Sequence, residues 1–281
     1  MYELMDGKKV SEHIKLQVKN EIESLGLNVD LAVIVVGDDP ASKVYVRNKK
    51  NACASVGIKS LEYALPEDTT EEKLLELIDY LNSCKFVNGI LVQLPLPKHI
   101  DQTHVLERID PMKDVDGFTA INTGKLWTSG CTLAPCTAMG IIELLDYYNI
   151  DIAGKNCVVV GRSNIVGKPV AAMMLERNAT VTVCHSKTKN LYDITNKADI
   201  LIAAVGRPKF ITWGMVKDKA VVVDVGINRV DGKLCGDVDF EGVKDKVSYI
   251  TPTPGGTGPV TVSMLMRNCV QAAIMQHEQQ L

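Results

Sequence analysis

The sequence predicts an α/β protein of two domains, and three features carry that prediction. A short apolar strand, Cys157 to Val160, runs into a glycine-bounded loop and then a helix. Several later runs, such as Ala198-Asp-Ile-Leu-Ile-Ala-Ala-Val-Gly206, are apolar almost without a break. Strands of that kind are buried on both faces, as in a parallel sheet covered by helices. The residues before about position 110 repeat the same α/β alternation, but without a glycine-bounded loop.

In the first part, the spacing predicts a helix over Asp6 to Leu25, a strand over Val29 to Val36 and a helix over Ser42 to Val56. A further helix spans Thr69 to Asn82, opened by Thr69 with Glu72 as a capping box. Asn88 to Pro97 reads as a strand that prolines terminate. The boundary is expected between Asp116 and Asn122, so that residues 1–118 form one α/β domain and residues 119–263 a second. In the second, a helix around Thr137 to Tyr148 leads to the glycine-bounded loop. Strands follow at Ala179 to Thr188, Ala198 to Gly206, Lys219 to Asn228 and Val247 to Thr251. A Gly/Pro turn from Thr251 to Thr261 then precedes a closing helix, with residues 264–281 expected to pack back on the first domain.

The loop Gly161-Arg-Ser-Asn-Ile-Val-Gly167 is the first chemical signal. Its glycines remove bulk where a pyrophosphate approaches, and the helix after Pro169 aims its amide-rich, partly positive end at the same place. The common Gly-x-Gly-x-x-Gly spacing is absent, with Ser163 and Val166 where the second and third glycines stand. The first reading is a dinucleotide cofactor; a tight strand-to-helix turn that binds nothing is the lesser alternative for the loop alone. The next strand favours a Rossmann-like unit, because it ends about 25 residues after Gly161, where such a unit meets the adenosine ribose. An NAD site places an acid there; this chain has His185, Ser186, Lys187, Thr188 and Lys189, with no carboxylate before Asp193. Hydroxyls and cations suit a 2′-phosphate, and Arg162 can reach the same group, so the expected cofactor is NADP. Gly206 and Gly226 fall at the expected carboxyl edge; they could simply terminate strands, yet several glycines at one edge would also let a flat cofactor lie close to the backbone.

Bulk properties exclude other classes. The formal net charge of −3 over 281 residues argues against a nucleic-acid or anionic-membrane surface. No stretch approaches the roughly 18 to 20 apolar residues of a membrane span, and the first residues hold no signal-peptide core. The eight cysteines include no Cys-x-x-Cys pair. They are expected to be mostly buried small hydrophobes, with neither zinc nor disulfides.

In the first domain, Tyr45 and Lys49 stand four apart on one helical face, a phenol beside an ammonium that could act as an acid/base pair. A lysine on a helix is more often simply solvated. Gln93 sits mid-strand in Val92-Gln-Leu-Pro, so its amide needs buried partners; satisfying a neighbouring loop is the plainer reading. Asp114 and Asp116 in Lys113-Asp-Val-Asp-Gly-Phe118 point to opposite sides if that segment is extended. At most one then faces a given cleft, and the other caps or anchors the loop.

Taken in order, Tyr45-x-x-x-Lys49, Val92-Gln-Leu-Pro-Leu-Pro97, Lys113-Asp-Val-Asp-Gly117, Pro135-Cys-Thr137, Gly161-Arg-Ser-x-x-Val-Gly-x-Pro169, Cys184-His-Ser-Lys-Thr188 and Thr251-Pro-x-Pro-Gly-Gly-x-Gly-Pro259 form a pattern. Over nearly its whole length the chain resembles the bifunctional methylenetetrahydrofolate dehydrogenase/methenyltetrahydrofolate cyclohydrolase family. It departs at Ala138, where proline often follows Pro-Cys-Thr, and at Thr257, where valine is common.

The resemblance implies NADP-linked oxidation of 5,10-methylenetetrahydrofolate to the 5,10-methenyl cation, then hydrolysis to 10-formyltetrahydrofolate. It implies catalysis by Lys49 with Gln93 as its partner, Tyr45 positioning the folate or relaying a proton, and Asp116 binding the pterin. It implies cofactor binding by Gly161, Arg162, Ser163, Ser186 and Ile227, an active site in the cleft between the domains, and no metal. It also implies a cytoplasmic homodimer serving one-carbon metabolism, including purine and amino-acid biosynthesis. A monofunctional dehydrogenase would share fold and cofactor loop but need no hydrolytic lysine. A non-catalytic nucleotide sensor would need neither Lys49 nor Gln93.

Overall fold

The apolar runs of the sequence become strands of two parallel sheets, each covered by the helices that alternate with them. The structure, a computed structural model, describes residues 2–279; the side chains of residues 40–45 lie outside the described residues. The chain begins with β1 (Glu3–Leu4), α1 (Gly7–Leu25), β2 (Asp30–Val36), α2 (Pro40–Ser55) and β3 (Lys59–Leu65). It continues with α3 (Glu71–Ser83), β4 (Gly89–Val92), α4 (Gln102–Arg108), α5 (Ala120–Leu126) and α6 (Cys136–Tyr147). Then come β5 (Asn156–Val160), α7 (Gly167–Glu176), β6 (Thr180–Cys184), α8 (Leu191–Thr195), β7 (Ile200–Ala203) and β8 (Val221–Asp224). A hairpin of β9 (Asn228–Val230) and β10 (Lys233–Cys235) precedes α9 (Phe240–Val243), β11 (Tyr249–Ile250) and α10 (Thr257–Glu278). Among the described residues no helix is long and apolar enough to cross a membrane.

The chain forms two compact units, one of Met1–Glu12 with Thr137–Thr261, the other of His13–Cys136 with Val262–Leu281. This division differs from the expected boundary at 118/119. The first residues join the larger sheet because β1 pairs in parallel with β11, Glu3 opposite Tyr249. Residues 119–136 stay with the smaller unit because the Thr119 amide and the Asn122 side chain both bond to Asp114.

The larger unit carries a six-stranded sheet in the order β1-β11-β8-β7-β5-β6, with every pairing parallel. One face of its core is built from Val158, Val160, Leu201, Ala203, Val222 and Ile250. The smaller unit has a three-stranded parallel sheet in the order β3-β2-β4, where Ile34, Ile90 and Val92 pack with Leu74, Ile78 and Leu81 of α3. Its strand β3 escaped the sequence reading. As an edge strand it alternates exposed and half-buried positions, and Lys59-Ser-Leu-Glu-Tyr-Ala-Leu65 has no continuous apolar run.

Local differences have local causes. The cap of α3 is Thr70, whose hydroxyl accepts from the Lys73 amide at 3.4 Å, while Thr69 is buried one residue earlier; the expected capping box at Thr69 is displaced accordingly. Helix α7 begins at Gly167 rather than after Pro169, since proline fits the first turn, where no amide partner is needed. Gln93 is the first residue beyond β4 rather than mid-strand, although its amide still donates to Ile34 O at 2.9 Å.

The other end of α3 is closed by a residue that the sequence did not single out. The Lys113 ammonium donates to the carbonyls of Leu81, Asn82 and Cys84 at 2.9, 2.8 and 2.8 Å. A buried ammonium is costly unless its hydrogens are used. Here it bonds to three carbonyls at a helix terminus, of which Asn82 O has no amide donor among the described residues, and the dipole there also favours a cation. Burial pushes the Lys113 pKa down, and Asp110 pulls it back up. Replacing Lys113 with Met removes three charge-assisted bonds; Leu81 O and Cys84 O keep the amides of Cys84 and Val87, while Asn82 O loses its donor. The expected loss is about 2 to 4 kcal/mol of unfolding free energy in urea titrations; a loss within about 0.5 kcal/mol, the range of ordinary surface changes, contradicts this role.

Candidate active site

In the smaller unit the chain runs from β2 to β3 on one side and returns to β4 on the other. Between β2 and β4 the strand order therefore reverses, which opens a crevice at their carboxyl ends. Ile34 of β2 is in register with Val92 of β4, so Gln93 emerges at that edge. Helix α2 follows β2 and carries both Tyr45 and Lys49. The Lys49 ammonium donates to Gln93 Oε1 at 3.2 Å, and Gln93 Nε2 donates to Leu94 O at 2.7 Å. Because the amide nitrogen is committed to a carbonyl, only the oxygen can face the ammonium. The side chain of Tyr45 lies outside the described residues.

The two aspartates of the Lys113–Phe118 segment do different work. Asp114 is buried, and its carboxylate accepts from four donors: the amides of Gly117 and Phe118 at 2.9 and 3.1 Å, the Thr119 amide at 2.8 Å and Asn122 Nδ2 at 3.0 Å. It anchors the turn. Asp116 is half-buried and has no hydrogen bond to any described residue. Desolvation pushes its pKa up to about 6, against the pull of the Lys49 ammonium, with Asp114 adding to the rise. Lys49, Gln93 and Asp116 thus belong to one neighbourhood: an ammonium, an amide that orients it and a carboxylate with open acceptor sites.

Asn268 of α10 supports this neighbourhood and was not anticipated. Its buried amide donates to Val115 O at 2.8 Å and Ala134 O at 2.9 Å, fastening the residue before Asp116 to the Ala134–Cys136 strip. The argument applied to Gln93, an amide inside an apolar run, would have found it in Met264-Leu-Met-Arg-Asn268. Nearby, burial pushes the Cys136 and Cys269 thiols up, so both are poor nucleophiles.

In the larger unit, register aligns the strand ends. Val160 of β5 pairs with Cys184 of β6 and Ala203 of β7, and Ala203 with Asp224 of β8. The loops that begin at Gly161, His185, Ala204 and Val225 therefore leave from one edge, which brings Gly161, Arg162, Ser163, Ser186 and Ile227 to it. Arg162 and Ser186 each lie two residues past a registered pair, Val160 and Cys184. Both are exposed and have no ion pair or side-chain hydrogen bond to a described residue. Ser163 Oγ accepts from the amides of Val166 and Gly167, at 3.2 and 3.3 Å, and so caps α7. The amides of Arg162, Asn164 and Ile165 bond to no described residue. After β6, Thr188 Oγ1 accepts from the His185 amide at 2.8 Å, closing a turn that holds Ser186 outward.

The structure revises the role of the loop glycines. Gly161 has φ +134°, and a Cβ on it would sit 2.1 Å from Ala204 O; one on Gly167 would sit 2.3 Å from Gly161 O. These glycines are required by the packing of the loop against its own backbone, whether or not a phosphate approaches. The open amides, the free guanidinium and the absence of a carboxylate between Cys184 and Asp193 nevertheless fit a dinucleotide with a 2′-phosphate. Among the described residues no group of three or more His, Cys, Asp or Glu could hold a metal ion.

Comparison with known proteins agrees with this geometry. Residues 5–116 match the model of the tetrahydrofolate dehydrogenase/cyclohydrolase catalytic domain, and residues 135–277 that of the NAD(P)-binding domain of the same family. A bifunctional protein FolD from Agathobacter rectalis is 59% identical over 276 residues, covering 97% of this chain and 99% of that protein. The crystal structure of the Campylobacter jejuni bifunctional FolD methylenetetrahydrofolate dehydrogenase/cyclohydrolase superposes with a TM-score of 0.95 at 50% identity, over 100% of both chains. The Trypanosoma brucei methylenetetrahydrofolate dehydrogenase-cyclohydrolase, solved with NADP cofactor and an inhibitor, gives 0.93 at 36% identity over 98% of each. The chain belongs to the tetrahydrofolate dehydrogenase/cyclohydrolase family.

Proposed function

We propose that this protein oxidises 5,10-methylenetetrahydrofolate to 5,10-methenyltetrahydrofolate with NADP+ and hydrolyses the product to 10-formyltetrahydrofolate. The observation that carries the reading is the Lys49–Gln93 hydrogen bond at the carboxyl edge of the smaller sheet, beside the open carboxylate of Asp116. NADP, when bound, accepts the hydride. The relative from Trypanosoma brucei was solved with that cofactor, and Arg162, Ser163 and Ser186 supply the cation and hydroxyls for its 2′-phosphate, with Gly161 and Ile227 along the same edge.

Loss of hydride leaves a cation shared by two nitrogens, so the first step asks the protein mainly to hold the carbon in place. Asp116 does this by accepting two hydrogen bonds from the amino and N–H edge of the pterin. The second step adds water to the methenyl carbon, breaks its bond to one ring nitrogen and releases one proton. Lys49 handles that proton, Gln93 keeps the amine directed at the site, and Tyr45 positions the folate or relays the proton. A monofunctional dehydrogenase is the second reading; an oriented lysine that hydride transfer does not use counts against it. The homodimer, the cytoplasmic location and the supply of one-carbon units to purine and amino-acid biosynthesis belong to the same proposal.

Three substitutions separate the roles. Arg162→Ala is expected to weaken NADP+ by about 1.5 to 3 kcal/mol more than NAD+, as loss of a charge-assisted bond to the 2′-phosphate demands. Titration calorimetry with both cofactors measures this, and equal weakening of the two contradicts it.

Asp116→Asn should raise the folate KM of both activities while leaving NADP+ affinity unchanged. Since only the ionised form accepts both pterin bonds, wild-type kcat/KM for folate should fall about tenfold per pH unit below about pH 6, a limb that Asp116→Asn lacks. The raised folded-state pKa also means that ionisation costs stability as pH rises from the ordinary carboxylate range through about 6. The Tm of Asp116→Asn at pH 7.5 should therefore match or exceed that of wild type. If Asp114→Asn showed the KM effect and Asp116→Asn were silent, the two acids would exchange roles.

Lys49→Met keeps the stem and removes the amine. It should lower conversion of methenyl- to formyltetrahydrofolate by about 10² or more, with a smaller fall in dehydrogenase activity. A variant that still hydrolysed the methenyl compound near the wild-type rate, above the uncatalysed background, would eliminate Lys49 as the proton-handling group.

A further inference from the structure

We propose that Asp237 is the positioning residue of the cofactor edge: one buried carboxylate fixes both the loop leaving β7 and the loop leaving β8. The inference rests on the NADP reading above. Asp237 has no solvent exposure. Its Oδ2 accepts from the amides of Val205 and Gly206 at 2.5 and 2.8 Å, and its Oδ1 from the Arg207 amide and Asn228 Nδ2, both at 2.9 Å. Val205 to Arg207 lie in the loop after β7, while Asn228 opens β9 directly after Ile227, the last residue of the loop from β8. A carboxylate has about four acceptor sites, and here N–H donors from two segments fill all four.

The glycine at 226 is explained by the same group. A Cβ there would fall 2.3 Å from the Asp237 carboxyl carbon, so Gly226 makes room for the carboxylate behind the loop, a use not anticipated for it. Asp237 is itself held from the end of β8, since Asp224 Oδ1 accepts from the amides of Gly226 and Asp237, both at 2.9 Å, and Oδ2 from Val238 at 3.0 Å. Asp224 therefore sets Asp237, and Asp237 sets the two loops. The loop after β5 meets the same structure, because a Cβ on Gly161 would strike Ala204 O at the start of the β7 loop. Asp237 thus fixes the loop after β7 and the end of the loop after β8, the loop after β5 packs against the first of these, and the cofactor need not touch the carboxylate.

Asp237→Asn tests this with little change of shape. The new amide turns two acceptor sites into donors, which then confront backbone N–H groups. Calorimetry should show the NADP+ dissociation constant raised about tenfold or more, and the NADP+ KM raised further than kcat falls. Cyclohydrolase activity, assigned to Lys49 in the other unit, should stay within about twofold and serves as the control for folding. Asn228→Ala removes one donor of the four and should raise the dissociation constant by a smaller factor, about threefold. Either of two results overturns the inference: wild-type NADP+ affinity in Asp237→Asn, or loss of both activities in Asp237→Asn together with unchanged NADP+ affinity in Asn228→Ala. Wild-type protein that binds no NADP+ overturns the functional reading itself, which distinguishes the two failures.

Discussion

A parallel strand can be buried on both faces only when helices cover it, and the chain then leaves its carboxyl end through a loop on a side that no helix closes. Register decides which of those loops meet. In the larger sheet Val160, Cys184, Ala203 and Asp224 stand in one row, so four loops widely separated in sequence begin side by side. In the smaller sheet Ile34 and Val92 are paired, and Gln93 follows at the reversal of strand order. A one-residue slip of β4 would turn Gln93 away from Lys49 and move Ile90 and Val92 to the face that Gly89 and Leu91 now occupy, spoiling the packing on both buried faces. The buried apolar faces that prevent the slip therefore also hold the chemistry in place.

Carboxylates divide the labour at both edges in the same way. Asp114 and Asp237 each accept four N–H donors, which leaves them no capacity for a ligand and suits them to hold loops. Asp116, two residues from Asp114, makes no hydrogen bond to a described residue and has a pKa raised to about 6. That contrast is what a ligand needs: a rigid turn with one unspent acceptor on it. An unspent carboxylate costs folding free energy, and binding a donor edge recovers part of the cost.

Much of this was legible in the sequence, for identifiable reasons. The parallel strands announced themselves by continuous apolar runs, and an amide after Val92 demanded partners that Lys49 and Leu94 O supply. The lack of an acid after β6 stands out because such positions otherwise carry one. Edge strand β3 was not legible, since half-exposed positions dilute the pattern. Lys113 was missed because a lysine is ordinarily solvated, and only the fold brings it under the end of α3. Gly161 and Gly226 were read as room for a ligand, whereas backbone and a buried carboxylate fill the space beside them. Sequence marks where glycine is needed, but not which neighbour needs it.

The two proposed reactions make unequal demands, and the residues are distributed to match. Hydride transfer asks for position alone, so in the proposed reading its requirements fall on groups that grip: Asp116 on the pterin, and Arg162, Ser163 and Ser186 on the cofactor. Hydration asks for proton movement as well, and the proposal gives that requirement to Lys49, whose flexible stem carries a compact charge with rotatable donors. A flexible amine is a poor catalyst unless something limits where it points. Gln93 supplies the limit, because its own nitrogen is committed to Leu94 O and its oxygen is thereby offered to the ammonium alone. An aspartate at that position would hold the ammonium in a charge-assisted pair. A neutral amide orients the amine through one hydrogen bond and leaves its other donors to face the proposed substrate.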